Sequence, residues 1–376
     1  MHQLTTARTS RRRFLFMSGG AAAAGLFLAA CGSGAPGSDA ELTPPEPVID
    51  GDLAYYAPTG YVPDDVMSAF EREYGVSINQ TYFSTVDEMI QKLGSGAAYD
   101  VTFMPSNFFA RATAANLLLP IDHSRMKNWG EVSSLFHNPP FEPNAKHLAG
   151  PYAMGGVGMA YRKSRVNGLT GSWNDLWDLA PRLNKRTYIF DDVTVSMTMA
   201  LSRLGLPTDT DSADDLRQAA DSLIELRKNL GGFGSSAGEK LANGEADLLM
   251  NYTGATFSTL KDSSFADDIG FEFGRETLAF NADCMAIPSA AKHPGTALLF
   301  CDFLLRPENM RKIVEFVGFP VATKAGESAY ADLIKGYPFL VYDNKVLADP
   351  TVWLASLQQA QLTKWTQAWT RVKATA

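Results

Sequence analysis

The sequence is poor in cysteine, in basic residues and in long apolar runs. Three cysteines among 376 residues are too few for a disulfide scaffold. The chain has 33 basic and 41 acidic residues and a formal net charge of −8. This balance argues against a nucleic-acid partner and is compatible with a cationic ligand. A chain of this length can still bury a large core and form two domains.

Motifs of common cofactor and metal sites are also missing. The histidines have no H-E-x-x-H spacing, no Walker A motif occurs, and we expect neither a metal nor a cofactor. Gly234–Gly238 (G-S-S-A-G) matches the G-x-S-x-G of serine hydrolases by letters. A nucleophile elbow follows a strand, whereas this pattern follows a predicted helix, which favours a plain Ser/Gly loop. A secreted serine hydrolase remains an alternative.

Residues 1–30 carry the parts of an export signal in order. The arginines of Ser10–Leu15 (S-R-R-R-F-L) indicate the twin-arginine route, and the uncharged run Phe14–Ala30 is shorter than the ~20 residues of a spanning helix. Leu28–Cys31 resembles the box at which bacterial lipoproteins are cleaved and acylated. Loss of four arginines and no acid moves the charge from −8 to −12. We expect a lipid on Cys31, a flexible tether over residues 31–50, and a body held outside the cytoplasmic membrane.

From residue 52 onward, strand and helix patterns alternate. Leu53–Tyr56, Val76–Phe83 and Tyr99–Met104 are typical of strands. Helices are predicted from Pro63 to Gly75 and from Ser84 to Leu93, on their capping signals. This βαβαβ order predicts a parallel sheet with right-handed crossovers.

The middle of the chain repeats the alternation. A Gly-rich strand is predicted around Gly155–Tyr161, and Asp191-Asp192 stands where a strand meets the next helix. Apolar positions from Leu216 to Leu230 predict an amphipathic helix, and Asp247–Tyr252 predicts a strand. The two similar blocks favour an α/β fold of two lobes.

One apolar segment near the end of the second block contains a single acid. Leu278–Pro288 (LAFNADCMAIP) predicts a buried strand that returns to the first lobe, and Asp283 lies within it. A buried carboxylate is costly without a compensating cation. A salt bridge within the chain, exposure at the strand end and a cationic ligand each account for it. Cys284 beside it and Cys301 remain either two free thiols or a disulfide.

Further polar and aromatic residues follow the predicted strands. In open α/β sheets, ligands bind beyond the carboxyl ends of the strands. The candidates there are Thr59, Tyr61, Ser106, Asp192 and Tyr252. Each also has a structural explanation, as a turn, cap or core residue.

Residues 52 to about 320 resemble the spermidine/putrescine-binding proteins of bacterial ABC importers, which belong to the periplasmic solute-binding proteins. The stretches that carry the resemblance, in chain order, are YYAPTGYVPDDVMSAFEREYGV, AAYDVTFMPSNFF, LLLPIDHSRMKNW, NPPFEPNAKH, GSWNDLWDL, IFDDVTVSMTMALSRLG, NADCMAIPSAAKHPGTALLFCDFLLRPEN and VGFP. The last 50 residues match poorly.

The resemblance implies a two-lobed type II periplasmic binding protein fold, with a hinge and a ligand cleft between the lobes. It places the first lobe at 51–153 plus 282–322 and the second at 154–281 plus 323–376. In the family, acids bind the ammonium groups and aromatic rings enclose the methylene chain. The positions that fall on ligand contacts are Thr59, Tyr61, Ser106, Phe108, Asp192, Ser235, Tyr252, Asn281, Asp283 and Phe319. Asp283 is the implied main amine acceptor, and Asp192 is the second acid across the cleft.

The chain departs from its relatives at several of these positions. Pro58 and Asn281 replace tryptophans, and Val195 replaces a second acid. Phe108 and Phe319 stand where tyrosine is usual, which keeps the ring and loses the hydroxyl. The cage is thinner and has one charge fewer, so a shorter amine or an amine-bearing metabolite is also compatible with it.

These observations predict a non-catalytic, lipid-anchored and monomeric binding component of an ABC importer. It would deliver a polyamine or related cation to a membrane permease and its ATPase. A binding protein for a different small solute is the first alternative. A surface adhesin would instead bind macromolecules through an exposed face.

Overall fold

We describe a computed structural model over residues 42–234, 237–342 and 344–374. Its strands are β1 (Leu53–Ala57), β2 (Ile78–Tyr82), β3 (Val101–Pro105), β4 (Gly150–Gly155), β5 (Val157–Arg162), β6 (Thr187–Ile189), β7 (Leu230–Phe233), β8 (Leu248–Tyr252), β9 (Ile269–Phe273) and β10 (Asn281–Ala286). Its helices are α1 (Asp64–Tyr74), α2 (Val86–Gly94), α3 (Phe109–Ala114), α4 (Asn174–Leu179), α5 (Val193–Arg203), α6 (Ala213–Arg227), α7 (Ala237–Ala242), α8 (Thr253–Asp262), α9 (Pro294–Leu304), α10 (Pro307–Val317), α11 (Lys324–Leu333) and α12 (Gln359–Ala374). Each of these helices is too short or too polar to span a bilayer. The predicted export signal and Cys31 lie outside the described residues.

The strands form two five-stranded sheets of the same plan. The first has the order β2-β1-β3-β10-β4 and the second β7-β6-β8-β5-β9. In both, the second strand is parallel to its two neighbours and the fourth is antiparallel to its two neighbours. That fourth strand comes from the other half of the chain, since β10 follows β9 and β5 follows β4. The predicted two-lobed α/β fold is confirmed.

The chain passes from the first sheet to the second at Gly156, and the Gly-rich strand predicted around Gly155–Tyr161 is confirmed as β5, which begins two residues later. β4 ends at Gly155 in the first sheet, and β5 begins at Val157 in the second. The amide of Val157 donates to the carbonyl oxygen of Leu278 at 2.8 Å, so the outgoing and returning segments lie side by side. The sequence did not reveal the break because small and apolar residues continue through it.

Helix ends follow the predicted signals in the first block. α1 begins after Pro63 and ends at Gly75, whose φ of 69° suits glycine. The Thr85 hydroxyl caps α2 by accepting from the Glu88 amide at 3.2 Å. β10 lies within the predicted segment Leu278–Pro288, which confirms that strand.

One predicted helix boundary was wrong. α6 ends at Arg227, and Leu230 begins β7, where it pairs with Thr187 of β6. Leu230 is buried in either arrangement, so its apolar character did not distinguish a sixth helical position from the start of a strand.

The last helices pack on different elements. α11 contacts α10, whereas α12 contacts α5 and α6. Residues after 322 therefore contact helices that follow β10 as well as helices that follow β6. The lobe boundaries drawn from the sequence stay predictions.

Candidate functional site

Asp283 lies at the carboxyl end of β3. On β10 it faces Pro105 of β3 on one side and Ala153 of β4 on the other. The pairing with β4 is irregular between Asp283 and Cys284, and such irregularities re-aim a side chain. The strand therefore presents this carboxylate at the edge where ligands bind in α/β sheets.

Tyr61 holds the carboxylate of Asp283. Its hydroxyl donates a short hydrogen bond to Oδ2 of Asp283. The ring is fixed by Phe103, edge-on at 5.3 Å, and by Tyr152, stacked at 5.5 Å. The Tyr152 hydroxyl also donates to the carbonyl oxygen of Tyr61. This aromatic support fixes the position of the one described side chain that hydrogen-bonds Asp283.

The carboxylate of Asp283 has no cation from the chain among the groups that set its pKa. Burial raises that pKa to about 6, and the hydrogen bond from Tyr61 lowers it in part. A raised pKa means that the charged form is poorly compensated. The described residues thus supply no lysine or arginine to neutralise it, as the cationic-ligand hypothesis requires.

Ser106 and Asn281 form a structural pair beside this site. The buried Ser106 hydroxyl donates to Oδ1 of Asn281 at 2.6 Å and accepts from the Ala282 amide at 3.3 Å. Both contacts join the end of β3 to β10. Ser106 therefore orients Asn281, which keeps part of its surface exposed.

Asp192 belongs to the other sheet and is the N-cap of α5. Its carboxylate accepts from the Val195 amide at 2.9 Å, so the structural explanation holds for this residue. Its side chain is exposed to solvent, yet burial by surrounding protein raises its pKa. Asp192 therefore keeps contact with solvent while the protein around it disfavours its charged form. Asp191 beside it pairs with Lys373 at 2.5 Å.

Tyr252 stands near both acids. It ends β8, and its ring lies 5.1 Å from that of Phe190. Burial raises its pKa, and the charges of Asp192 and Asp283 raise it further. The Tyr252 phenol therefore lies within electrostatic range of one carboxylate from each sheet.

The remaining predicted residues lie on several separate elements. Thr59 is exposed in the turn after β1, and Phe108 is half-buried before α3. Phe319 packs on the start of α8, where a Cβ at Gly254 would collide with its ring. Ser235 lies outside the described residues.

Sequence reasoning missed Tyr152. The residue is fully buried and stacks on Tyr61, but no strand was predicted over the segment that contains it. The usable signal was the alternation of large and small residues in Gly150–Gly155, which forms β4.

Two cavities lie elsewhere in the described residues. The larger, about 800 Å³, lies between α2 and α12 beside Arg111. The smaller, about 330 Å³, has Ser133, Met154 and Glu327 in its wall. Neither is lined by Asp283 or Asp192.

The structure corrects one argument against a serine hydrolase. Gly234 follows β7 and precedes α7, so the prediction that this pattern follows a helix was wrong. Ser235 and Ser236 lie outside the described residues. Within the described ranges, no group of three or more His, Cys, Asp or Glu side chains is arranged to hold a metal.

Two α/β lobes that exchange strands in this way are the fold of a two-lobed binding protein. The chain belongs to the bacterial extracellular solute-binding proteins, whose family model matches residues 65–335. Members of this family act outside the cytoplasm, and the same location follows for this chain.

Curated relatives and a solved structure agree with this assignment. The chain is 27% identical over 277 residues to the spermidine/putrescine-binding periplasmic protein of Salmonella typhimurium, covering 73% of this chain and 78% of that one. It is 25% identical over 336 residues to a putrescine-binding periplasmic protein of Pseudomonas aeruginosa, covering 85% and 91%. The TpPotD lipoprotein of Treponema pallidum matches the fold with a TM-score of 0.73 at 24% identity, over 85% and 99% of the chains.

Proposed function

We propose that the protein is the substrate-binding component of an ABC importer and captures a polyamine or a related small cation. Asp283 carries this proposal, because its carboxylate lies at the ligand edge of the first sheet with Tyr61 as its described hydrogen-bond donor. A ligand ammonium would supply the missing charge. We propose no catalytic role for the site.

Asp192 and Tyr252 extend the site to the second lobe. A diamine with one ammonium on Asp283 and the other on Asp192 would contact both sheets, and the Tyr252 ring would lie beside its methylene chain. Such a ligand links the lobes and favours their closure. The similarity to curated spermidine/putrescine-binding and putrescine-binding proteins supports this ligand class.

We further propose that the mature chain is a monomer, anchored by a lipid on Cys31 after twin-arginine export, and that it delivers its ligand to a membrane permease. The signal and the tether precede the described residues, so the sequence supports this part. Replacing Cys31 by alanine should release the protein from membranes. Equal membrane retention of both forms would contradict the lipid anchor.

A thermal-shift screen of the mature chain tests the ligand class. Ligands that bind only the folded state stabilise it by mass action and so raise the melting temperature. At a ligand concentration a hundredfold above Kd, the free energy of unfolding increases by roughly 2.7 kcal/mol. We expect polyamines to raise it and sugars and organic acids to leave it unchanged. If only another class of compound raises the melting temperature, that class replaces polyamines as the proposed ligand. Turnover of an ester would instead support the serine-hydrolase alternative.

A further inference from the structure

The side chains of Asn281 and Asp283 lie on the same face of β10. Residues two positions apart point to one side of a strand, and the pairing with β4 is regular from Asn281 to Asp283 and shifts after Asp283. Both residues are half-buried, whereas Ala282 between them is buried on the opposite face. Along a strand, two such residues are roughly 7 Å apart. A small ligand bound to Asp283 can therefore also contact Asn281.

The hydrogen bonds of Ser106 determine which end of the Asn281 amide is free. The Ser106 hydroxyl accepts from the Ala282 amide at 3.3 Å and lies 2.6 Å from Oδ1 of Asn281. A hydroxyl has one hydrogen to donate. If the Asn281 amide were turned round, Ser106 would receive two donors and its own hydrogen would have no described acceptor. The 2.6 Å distance also suits an O–H···O bond better than an N–H···O bond. Ser106 therefore holds Oδ1 and leaves Nδ2 free.

The Nδ2 atom of Asn281 has no hydrogen-bond partner among the residues that the structure describes. It is also not one of the buried polar atoms without a partner in those residues, so solvent reaches it. An amide Nδ2 has two hydrogens to donate and does not accept. It therefore binds an oxygen acceptor and does not bind an ammonium group. Two positions from a carboxylate that needs a cation, β10 presents a donor that needs an acceptor.

Side chains from other elements shield the face of β10 at Asn281. Asn281 pairs with Gly155 of β4, and directly opposed residues of antiparallel strands point to the same face. A Cβ at Gly155 would lie 2.8 Å from Oγ1 of Thr253 and 3.7 Å from the Phe319 ring, so both side chains pack close to this face. A hydrogen bond from Asn281 to a ligand is thus made beside an aromatic ring, where it is stronger than in open water.

We propose that the ligand is an amine that also carries a neutral oxygen acceptor, a hydroxyl or a carbonyl, a few bonds from its ammonium group. The ammonium binds Asp283, and the oxygen accepts from Nδ2 of Asn281. The oxygen is neutral because the charge of Asp283 would repel a carboxylate. A protonated polyamine has donors alone and leaves Nδ2 without a partner. This inference rests on the proposed function and narrows its ligand class.

Calorimetry with putrescine and 2-hydroxyputrescine tests this inference, because the two diamines differ by one hydroxyl. We expect the wild-type protein to bind 2-hydroxyputrescine about fivefold more tightly, which is the net effect of one hydrogen bond. Asn281→Leu keeps the size of the side chain and removes the donor, so the preference should be lost. Ser106→Ala should reduce the preference in part, since the Asn281 amide is then free to turn.

Asn79→Leu is the matched control. It makes the same change at an exposed position of β2, which β1 and β3 separate from β10, so the ratio of the two affinities should stay at the wild-type value. Thermal unfolding of each variant checks that it is folded. Equal binding of both diamines by the wild-type protein, or a preference that survives in Asn281→Leu, would overturn the role of Asn281 and leave the proposed function intact. Wild-type protein that binds neither amine would instead overturn the proposed function itself.

Discussion

Asp283 combines a functional charge with a cost to the ligand-free fold. Because its pKa is raised, protonation of Asp283 stabilises the folded state. This stabilisation is fully present below pH 3.8, the ordinary pKa of the group, and it is lost as the pH rises through about 6. At neutral pH the ionised carboxylate therefore destabilises the protein until a cation binds.

Replacing Asp283 by asparagine separates these two effects. Asp283→Asn should raise the free energy of unfolding of the ligand-free protein at neutral pH by about 1–3 kcal/mol, because the uncompensated charge is gone. It should also weaken amine binding by about 2–4 kcal/mol. Chemical denaturation and calorimetry measure the two quantities. A variant with lower stability and unchanged affinity would contradict the assignment of Asp283.

Asp192→Asn should weaken amine binding less than Asp283→Asn. Asparagine also caps helices well, so the contact to the Val195 amide of α5 survives the change. The more exposed position of Asp192 reduces the strength of its interaction with an ammonium. Calorimetry on both variants with the same diamine tests the order, and the reverse order would make Asp192 the main acceptor.

The pKa of Asp283 also predicts how binding depends on pH. Amine binding requires the ionised carboxylate, and with a pKa of about 6 the affinity should fall about tenfold between pH ~7.5 and pH ~5. Aliphatic amines keep their protons throughout this range, so the change belongs to the protein. Calorimetry at several pH values checks the slope. Residual binding by Asp283→Asn should not show it, and a flat wild-type profile would contradict the prediction.

In the sequence, the two candidate acids are easier to recognise than the residues that support them. Asp283 is evident because an acid is unusual in an apolar strand. Asp192 is evident because it stands at the start of a helix. Tyr152 is not evident, since its role depends on β4 lying beside β10, a pairing between residues more than a hundred positions apart.

At the scale of elements, helices were predicted well where caps mark their ends. α1 and α2 carry such caps, whereas the polar Lys228 and Asn229 between α6 and β7 did not mark the helix end, because Leu230 continues the helical spacing of apolar residues. The crossing at Gly156 was hidden for the same reason. Periodicity reports which residues are buried, and it does not report which of two sheets buries them.

The antiparallel strand β5 depends on a glycine. A Cβ at Gly158 would collide with the carbonyl oxygen of Glu272 in the neighbouring β9. The two strands are paired along their backbones, so neither can move away to relieve the collision. Gly158→Ala should therefore lower the free energy of unfolding by about 2–3 kcal/mol. Gly94→Ala is the control, since nothing lies within 4 Å of its added Cβ, and it should be neutral or slightly stabilising. Equal stability of the two variants in urea unfolding would contradict this account.

At the scale of the whole molecule, the proposed function predicts that the two acids couple ligand binding to the arrangement of the lobes. Asp283 is on the first sheet, and Asp192 starts a helix of the second. A diamine that binds both should shift the population toward a closed form, with a decrease in the radius of gyration of roughly 0.5–1 Å. Small-angle scattering with and without ligand measures this change. Asp283→Asn should show no decrease at the same ligand concentration. Binding without compaction in the wild-type protein would mean that the ligand contacts one lobe only and that Asp192 is just the cap of α5.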